Sequence, residues 1–186
     1  MNDTSNVAEA RYSLIAMAFH WLLAALVFLN FFIAWSAEDL PDAEKGRMMG
    51  NHMAVGLTVL MLTVLRVAWR IFYRPPPLVE TLKAWEVALA RVTHFMFYVL
   101  MLALPLAGLV MVSAFSGGHP VSYFGLFDFP GLPLAKDKAM SELFHELHEV
   151  FATLMLLLIV LHLAAALKHL FVDRDATMRR MLPWGR

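Results

Sequence analysis

The chain contains no cysteine. That absence excludes thiolate catalysis, cysteine-ligated zinc, iron–sulfur clusters, disulfide bonds and thioether-linked haem. Any metal must be held by His, Met or oxygen. Charge is scarce as well: 16% of the 186 residues are Asp, Glu, Lys or Arg, and the formal net charge is zero. The chain therefore lacks the basic field with which nucleic-acid binders neutralise phosphates, and no nucleic-acid partner is expected. The opening MNDTSNVAEARYS lacks the basic start and small-residue cleavage site of a secretory signal. The apolar block behind it is long enough to span a membrane, so the start is expected to be retained.

What the chain has instead is apolar length. Hydrophobic residues make up 60% of it, against about 45–50% in an average soluble chain, and the surplus is arranged in four long blocks. A helix needs about 20 mostly apolar residues to cross the roughly 30 Å hydrocarbon layer. Spans are expected near Leu14–Trp35, Met53–Tyr73, Val92–Phe115 and Val150–Val172. Turn chemistry separates them: Glu38-Asp39-Leu40-Pro41-Asp42, Arg74-Pro75-Pro76-Pro77, and a long Ser116–Glu149 connection rich in Gly and Pro. Glu80–Arg91 reads as a short interfacial helix. No repeat or second domain is apparent, so residues 1–186 form one all-α, integral membrane four-helix bundle.

Four crossings put both termini and the second loop on one side. That side carries eleven basic residues, Arg11, Arg66, Arg70, Arg74, Lys83, Arg91, Lys168, Arg174, Arg179, Arg180 and Arg186; the other has only Lys45, Arg47, Lys136 and Lys138. The positive-inside bias puts the termini in the cytoplasm. With six carboxylates inside and nine outside, the two faces carry about +5 and −5.

Of eight histidines, His20, His52, His94, His148 and His162 lie in or at the mouths of spans, where ionisable groups default to functional roles. One such histidine alone is as readily an interhelical hydrogen-bond partner as a ligand. Depth separates the cases. His20 lies about 9 Å inside the boundary of the outward-running first span, and His162 about 15 Å from the end of the inward-running fourth, so they share an inner layer. His52 and His148 open the second and fourth spans and share an outer layer. His148 and His162 are 14 residues apart, about 40° short of four whole turns, and so point to one face of one helix in different layers. Two facing pairs suit two flat iron porphyrins, each held by two axial imidazoles in the bundle core. A structural zinc would need four ligands around one point.

Other residues have weaker signals. His94, only about 3 Å inside its expected span, competes with His20 but reads better as a neighbour of a propionate. His145 rivals His148 from one turn earlier. His169 follows His162 by seven residues and adjoins a propionate, a quinone or water, whereas His119 reads as a loop residue. Arg66, Arg70, Arg91 and Lys168 suit a haem propionate or a lipid phosphate, the latter by snorkelling. Most of the thirteen methionines fall inside spans as filler, despite the copper-like run Met48-Met49-Gly50-Asn51-His52-Met53.

These residues resemble the bacterial di-haem cytochrome b561 family, whose members include a membrane superoxide oxidase. The resemblance runs over nearly the whole chain: Arg11-Tyr12-Ser13 with Phe19-His20-Trp21, Asn51-His52 to Leu65-Arg66, Ala103-Leu104-Pro105-Leu106-Ala107-Gly108-Leu109, Tyr123-Phe124-Gly125-Leu126 and His145-Glu146-Leu147-His148-Glu149. Its most specific part is Leu161-His162-Leu163-Ala164-Ala165-Ala166-Leu167-Lys168-His169, closing with Asp173-Arg174-Asp175 and Arg179-Arg180-Met181-Leu182-Pro183. In the family pattern, the positions of His20 and His162 hold the cytoplasmic-side haem and those of His52 and His148 the periplasmic-side haem, the pairing that depth also gives. The resemblance implies a bacterial inner-membrane cytochrome with two haem b groups that exchanges electrons with the quinone pool; superoxide oxidase members pass electrons from periplasmic superoxide to ubiquinone, and related members carry electrons for other partners.

The outer sum near −5 would repel superoxide unless Lys45, Arg47, Lys136 and Lys138 cluster as a steering patch. A second reading is a quinol-linked cytochrome b subunit serving a basic periplasmic redox protein, which an acidic face would suit. A third, a non-haem proton-coupled transporter with histidine relays, would call for broken helices or repeat symmetry, and neither is evident.

Overall fold

The computed structural model describes residues 11–79 and 81–182. The N-terminal segment up to Ala10, Glu80, Pro183 and Arg186 lie outside the described residues. Four helices run Leu14–Ser36 (α1), Asp42–Phe72 (α2), Ala84–Ser116 (α3) and Lys138–Lys168 (α4). Each is long and apolar enough to cross a membrane. Large side chains such as Phe32, Phe115, Leu157 and Val160 stand exposed along them, as a lipid-facing surface requires.

The helix ends follow from local chemistry. Ser13 caps α1 by accepting from the N–H of Ala16 at 3.2 Å, and Asp137 caps α4 by accepting from Met140 at 3.0 Å. Asp42 and Glu44 place negative charge in the first turn of α2, where the helix dipole favours it. Gly117, at φ 77°, ends α3 in the left-handed conformation that lets its N–H reach the carbonyl of Ser113 at 2.9 Å.

Three helices depart from the expected limits. The second starts at Asp42 instead of Met53, the fourth at Lys138 instead of Val150, because polar first turns extend each helix beyond its apolar stretch. The third starts at Ala84, so the segment expected as a separate interfacial helix is the opening of α3 itself. Glu86 favours this start by accepting from the backbone N–H of Lys83 at 2.9 Å. After Lys168 the chain continues as one π-helical turn, His169–Asp173, which Arg174 closes at φ 54°.

The long loop between α3 and α4 holds a small antiparallel hairpin, Val121–Tyr123 (β1) paired with Phe127–Phe129 (β2), in the register Val121 with Phe129 and Tyr123 with Phe127. Phe124 and Gly125, both at positive φ, make its turn. The hairpin packs on α2. Thr58 uses its hydroxyl proton on the carbonyl of Ala54 at 2.8 Å, so the Tyr123 hydroxyl donates to Thr58 Oγ1 at 2.8 Å.

Helix α3 packs on α4, α1 on α2 and α2 on α3. The core cluster of Leu23, Val59, Leu100, Met101, Met155 and Ile159 sits at mid-height. Met155 is seven residues from both His148 and His162, so this apolar plug separates two histidine layers.

Candidate haem sites

In the outer layer, His52 of α2 faces His148 of α4 with ring centres 6.0 Å apart and ring planes inclined at 71°. Each ring is held from behind. His52 Nδ1 lies 3.2 Å from the carbonyl oxygen of Asn30, and His148 Nδ1 lies 3.0 Å from that of Leu104. A carbonyl only accepts, so each Nδ1 carries the proton and donates, which leaves each Nε2 lone pair free for a metal. Gly108 permits this approach of α3 to α4: a Cβ at that position would stand 3.2 Å from His148 Nδ1 and Cε1.

In the inner layer, His20 of α1 lies 6.2 Å from His162 of α4, ring centre to ring centre, with the planes at 69°. His94 of α3 lies 5.8 Å from the same ring. The early start of α3 explains this closeness. His94 stands ten residues into the helix, about 15 Å along it, so its depth matches His162 as well as His20 does. The two differ in surroundings. His94 borders a cavity on the terminal face together with Arg70, Arg91 and Tyr98, whereas Trp21 packs edge-on against His20 at 5.2 Å.

Imidazoles on opposite sides of one metal, with metal–nitrogen bonds of about 2 Å, hold their ring centres about 6 Å apart. Both pairs meet this spacing. The helices that carry each pair, α1 with α4 and α2 with α4, are not among the closely packed helix pairs of the described residues. Each layer also holds a buried polar atom without a hydrogen-bond partner among the described residues, Asn30 Oδ1 in the outer and Thr63 Oγ1 in the inner. Donor set and spacing fit haem iron.

The remaining candidates belong to neither pair. His145 Nε2 faces Glu149 at 3.5 Å on an exposed surface, and His119 lies exposed in the long loop. Arg66 and Arg70 lie over the Tyr98 ring at 5.4 and 5.6 Å. Lys168 binds Glu86 at 2.8 Å and Asp173 at 2.6 Å, which occupies it as an ion-pair bridge. His169 Nδ1 sits 2.9 Å from Asp173 and 2.8 Å from Asp175. Burial alone would raise the Asp175 pKa, but the contacts from Thr177 and His169 outweigh it and hold the carboxyl below its usual range. Among the expected steering residues, Lys138 pairs with Glu142 at 3.4 Å, Lys45 donates to the Glu38 carbonyl at 3.0 Å and Lys136 lies 5.9 Å from the Phe115 ring centre. Arg47 is on the second turn of α2.

Sequence reasoning missed the carbonyl partners of His52 and His148, which depend on how helices are juxtaposed. It also missed Gly108, although a glycine one turn from Leu104 in an apolar helix marks close approach.

Comparison with known proteins identifies the family. The sequence profile of prokaryotic cytochrome b561 matches residues 11–184. Cytochrome b561 homolog 2 of Escherichia coli (strain K12) is 34% identical over 174 residues, covering 92% of this chain and 91% of that one. The probable superoxide oxidase CybB of Yersinia pestis is 31% identical over 179 residues, covering 93% and 96%. Cytochrome b561 homolog 1 of Escherichia coli is 29% identical over 176 residues. With four membrane helices, two facing histidine pairs in their core and a family match over almost its full length, the chain belongs to the prokaryotic cytochrome b561 family of haem-binding membrane electron-transfer proteins.

Proposed function

We propose that the protein is a di-haem b-type cytochrome that passes electrons between the periplasmic face and the quinone pool, and that its reaction is superoxide to ubiquinone. The observation that carries the reading is the pair of imidazole layers, 6.0 and 6.2 Å across, both anchored on α4. Haem supplies one-electron chemistry, which matches a donor that gives up a single electron.

Each residue then has a task. His52 and His148 hold the outer group, with their tautomers set by Asn30 and Leu104. His20 and His162 hold the inner group, and His94 with Arg66 neighbours it from the side of the cavities. The core around Met155 keeps water out between the layers. The eleven basic residues against four orient the termini to the cytoplasm. Superoxide crosses hydrocarbon poorly, so it meets the outer layer, with Lys45, Arg47, Lys136 and Lys138 as the local cations. A relative whose name is probable superoxide oxidase supports this donor.

The test is stopped-flow reduction of the haems by superoxide, with and without ubiquinone. Fast reduction followed by quinone-dependent reoxidation is expected. Reduction no faster than in a variant without the outer haem would overturn the superoxide assignment.

One observation favours a second reading, a quinol-linked subunit for a basic periplasmic protein. The outer face has nine carboxylates against four cations, and Lys138 is already paired with Glu142. Membership of a haem electron-transfer family speaks against the transporter reading.

A further inference from the structure

Two adjoining cavities of about 500 and 420 Å³ open on the face that carries the termini, between the start of α1, the end of α2 and α3. They share Arg70 and Tyr98. Arg11, Arg66 and Arg74 line the first, Arg91 lines the second, and among the described residues no carboxylate lines either. Five guanidinium groups thus converge on one cleft, two of them sharing a single aromatic ring. Charges of one sign at such spacing repel unless an anion lies between them.

The chain itself offers too few anions. Of the six carboxylates on this face, Glu86 and Asp173 are bound to Lys168, and Asp175 to His169. Asp3, Glu9 and Glu80 lie outside the described residues, and three carboxylates would still leave this cleft in positive excess. Two haem propionates at the Arg66 end would leave the outer part, Arg70, Arg74 and Arg91, with no counter-charge of its own.

Beside the cleft the surface turns apolar. Phe72 is 80% exposed, Ile71 72% and Phe95 66%, and Phe72 and Phe95 line the cavities themselves. A ligand that satisfies both surfaces has an anionic head and hydrocarbon chains. Quinone lacks the charge, and inorganic phosphate lacks the chains.

We propose that this cleft is a binding site for an anionic phospholipid, its phosphate held by Arg70, Arg74 and Arg91 and its acyl chains lying on Phe72 and Phe95. Basic pockets between membrane helices bind such head groups through charge-assisted hydrogen bonds. The site is independent of which donor or acceptor the haems serve.

The test is native mass spectrometry of the detergent-purified holoprotein equilibrated with phosphatidylglycerol, cardiolipin or phosphatidylcholine. Anionic lipid adducts should be retained over phosphatidylcholine, and Arg74→Gln with Arg91→Gln should weaken their binding about 30-fold, since each arginine contributes roughly fivefold near a lipid surface. Arg74→Lys with Arg91→Lys should keep most of the binding, and pyridine haemochrome content should match wild type in both. If the double Gln variant does not fold, Arg91→Gln alone reads the same effect at reduced size. Equal retention of phosphatidylcholine, or unchanged binding in the Gln variants, would overturn the proposal. Full competition by millimolar inorganic phosphate would replace the lipid with a free-anion site and would equally overturn it.

Discussion

His148 donates through Nδ1 to the carbonyl oxygen of Leu104 at 3.0 Å, and the inner histidines have no such hydrogen bond among the described residues. A proton shared with a carbonyl makes the opposite nitrogen a stronger donor to iron, which favours the oxidised metal. Arginines near the inner layer favour the reduced one. The outer haem should therefore have the lower potential. Potentiometric titration should resolve two one-electron waves, and His148→Ala should delete the lower. Loss of the higher wave alone would reverse the assignment.

Gly108→Ala places a methyl group 3.2 Å from the His148 ring. The neighbour must shift, and overpacking of this kind costs about 1–3 kcal/mol. The electron paramagnetic resonance signal of the outer haem should change while that of the inner haem stays constant. Identical spectra would show that α3 yields without moving the imidazole.

His94→Ala should retain both haems by pyridine haemochrome, and His20→Ala should lose the inner one. The warrant is that His94 borders the basic cleft while Trp21 packs against His20. The opposite result would make His94 the partner of His162, which lies 5.8 Å away.

Replacing Lys136 and Lys138 by Gln should slow haem reduction by superoxide and flatten its salt dependence. Attraction from this patch would be screened over a Debye length of about 8–10 Å. Salt-independent rates in the wild type would show that these cations do not steer.

The depressed pKa of Asp175 carries a pH signature. A carboxyl whose folded pKa is lowered adds stability above its unfolded value of 3.8, and this is lost as pH falls through the folded value. Asp175→Asn should lower stability near neutral pH by about 1.5–3 kcal/mol, the scale of a hydrogen bond to a charged group. Thermal melts followed by the haem spectrum should converge for the two proteins in strong acid. A constant difference at every pH would assign the loss to packing.

Apolar length and histidine spacing made the four spans and both layers legible in the sequence, because helical rise converts residue number directly into depth. Depth misjudged His94, since the polar residues opening α3 disguised where that helix begins. The hairpin escaped notice because three-residue strands are too short to show alternation, and its turn depends on Phe124 at positive φ, which only Gly, Asn or Asp would have advertised. The basic cleft was visible only as scattered arginines, since their convergence requires three helices and the linker to meet.

Because one continuous α4 supplies an imidazole to each layer, that helix acts as a ruler for the spacing between the two histidine layers. Inserting a single residue between His148 and His162 would lengthen the ruler by about 1.5 Å and, more damagingly, swing one imidazole by about 100° away from its partner. Substitutions around Met155 can be absorbed by neighbouring side chains, whereas insertions and deletions cannot. The length of this stretch is thus under a stricter constraint than its composition.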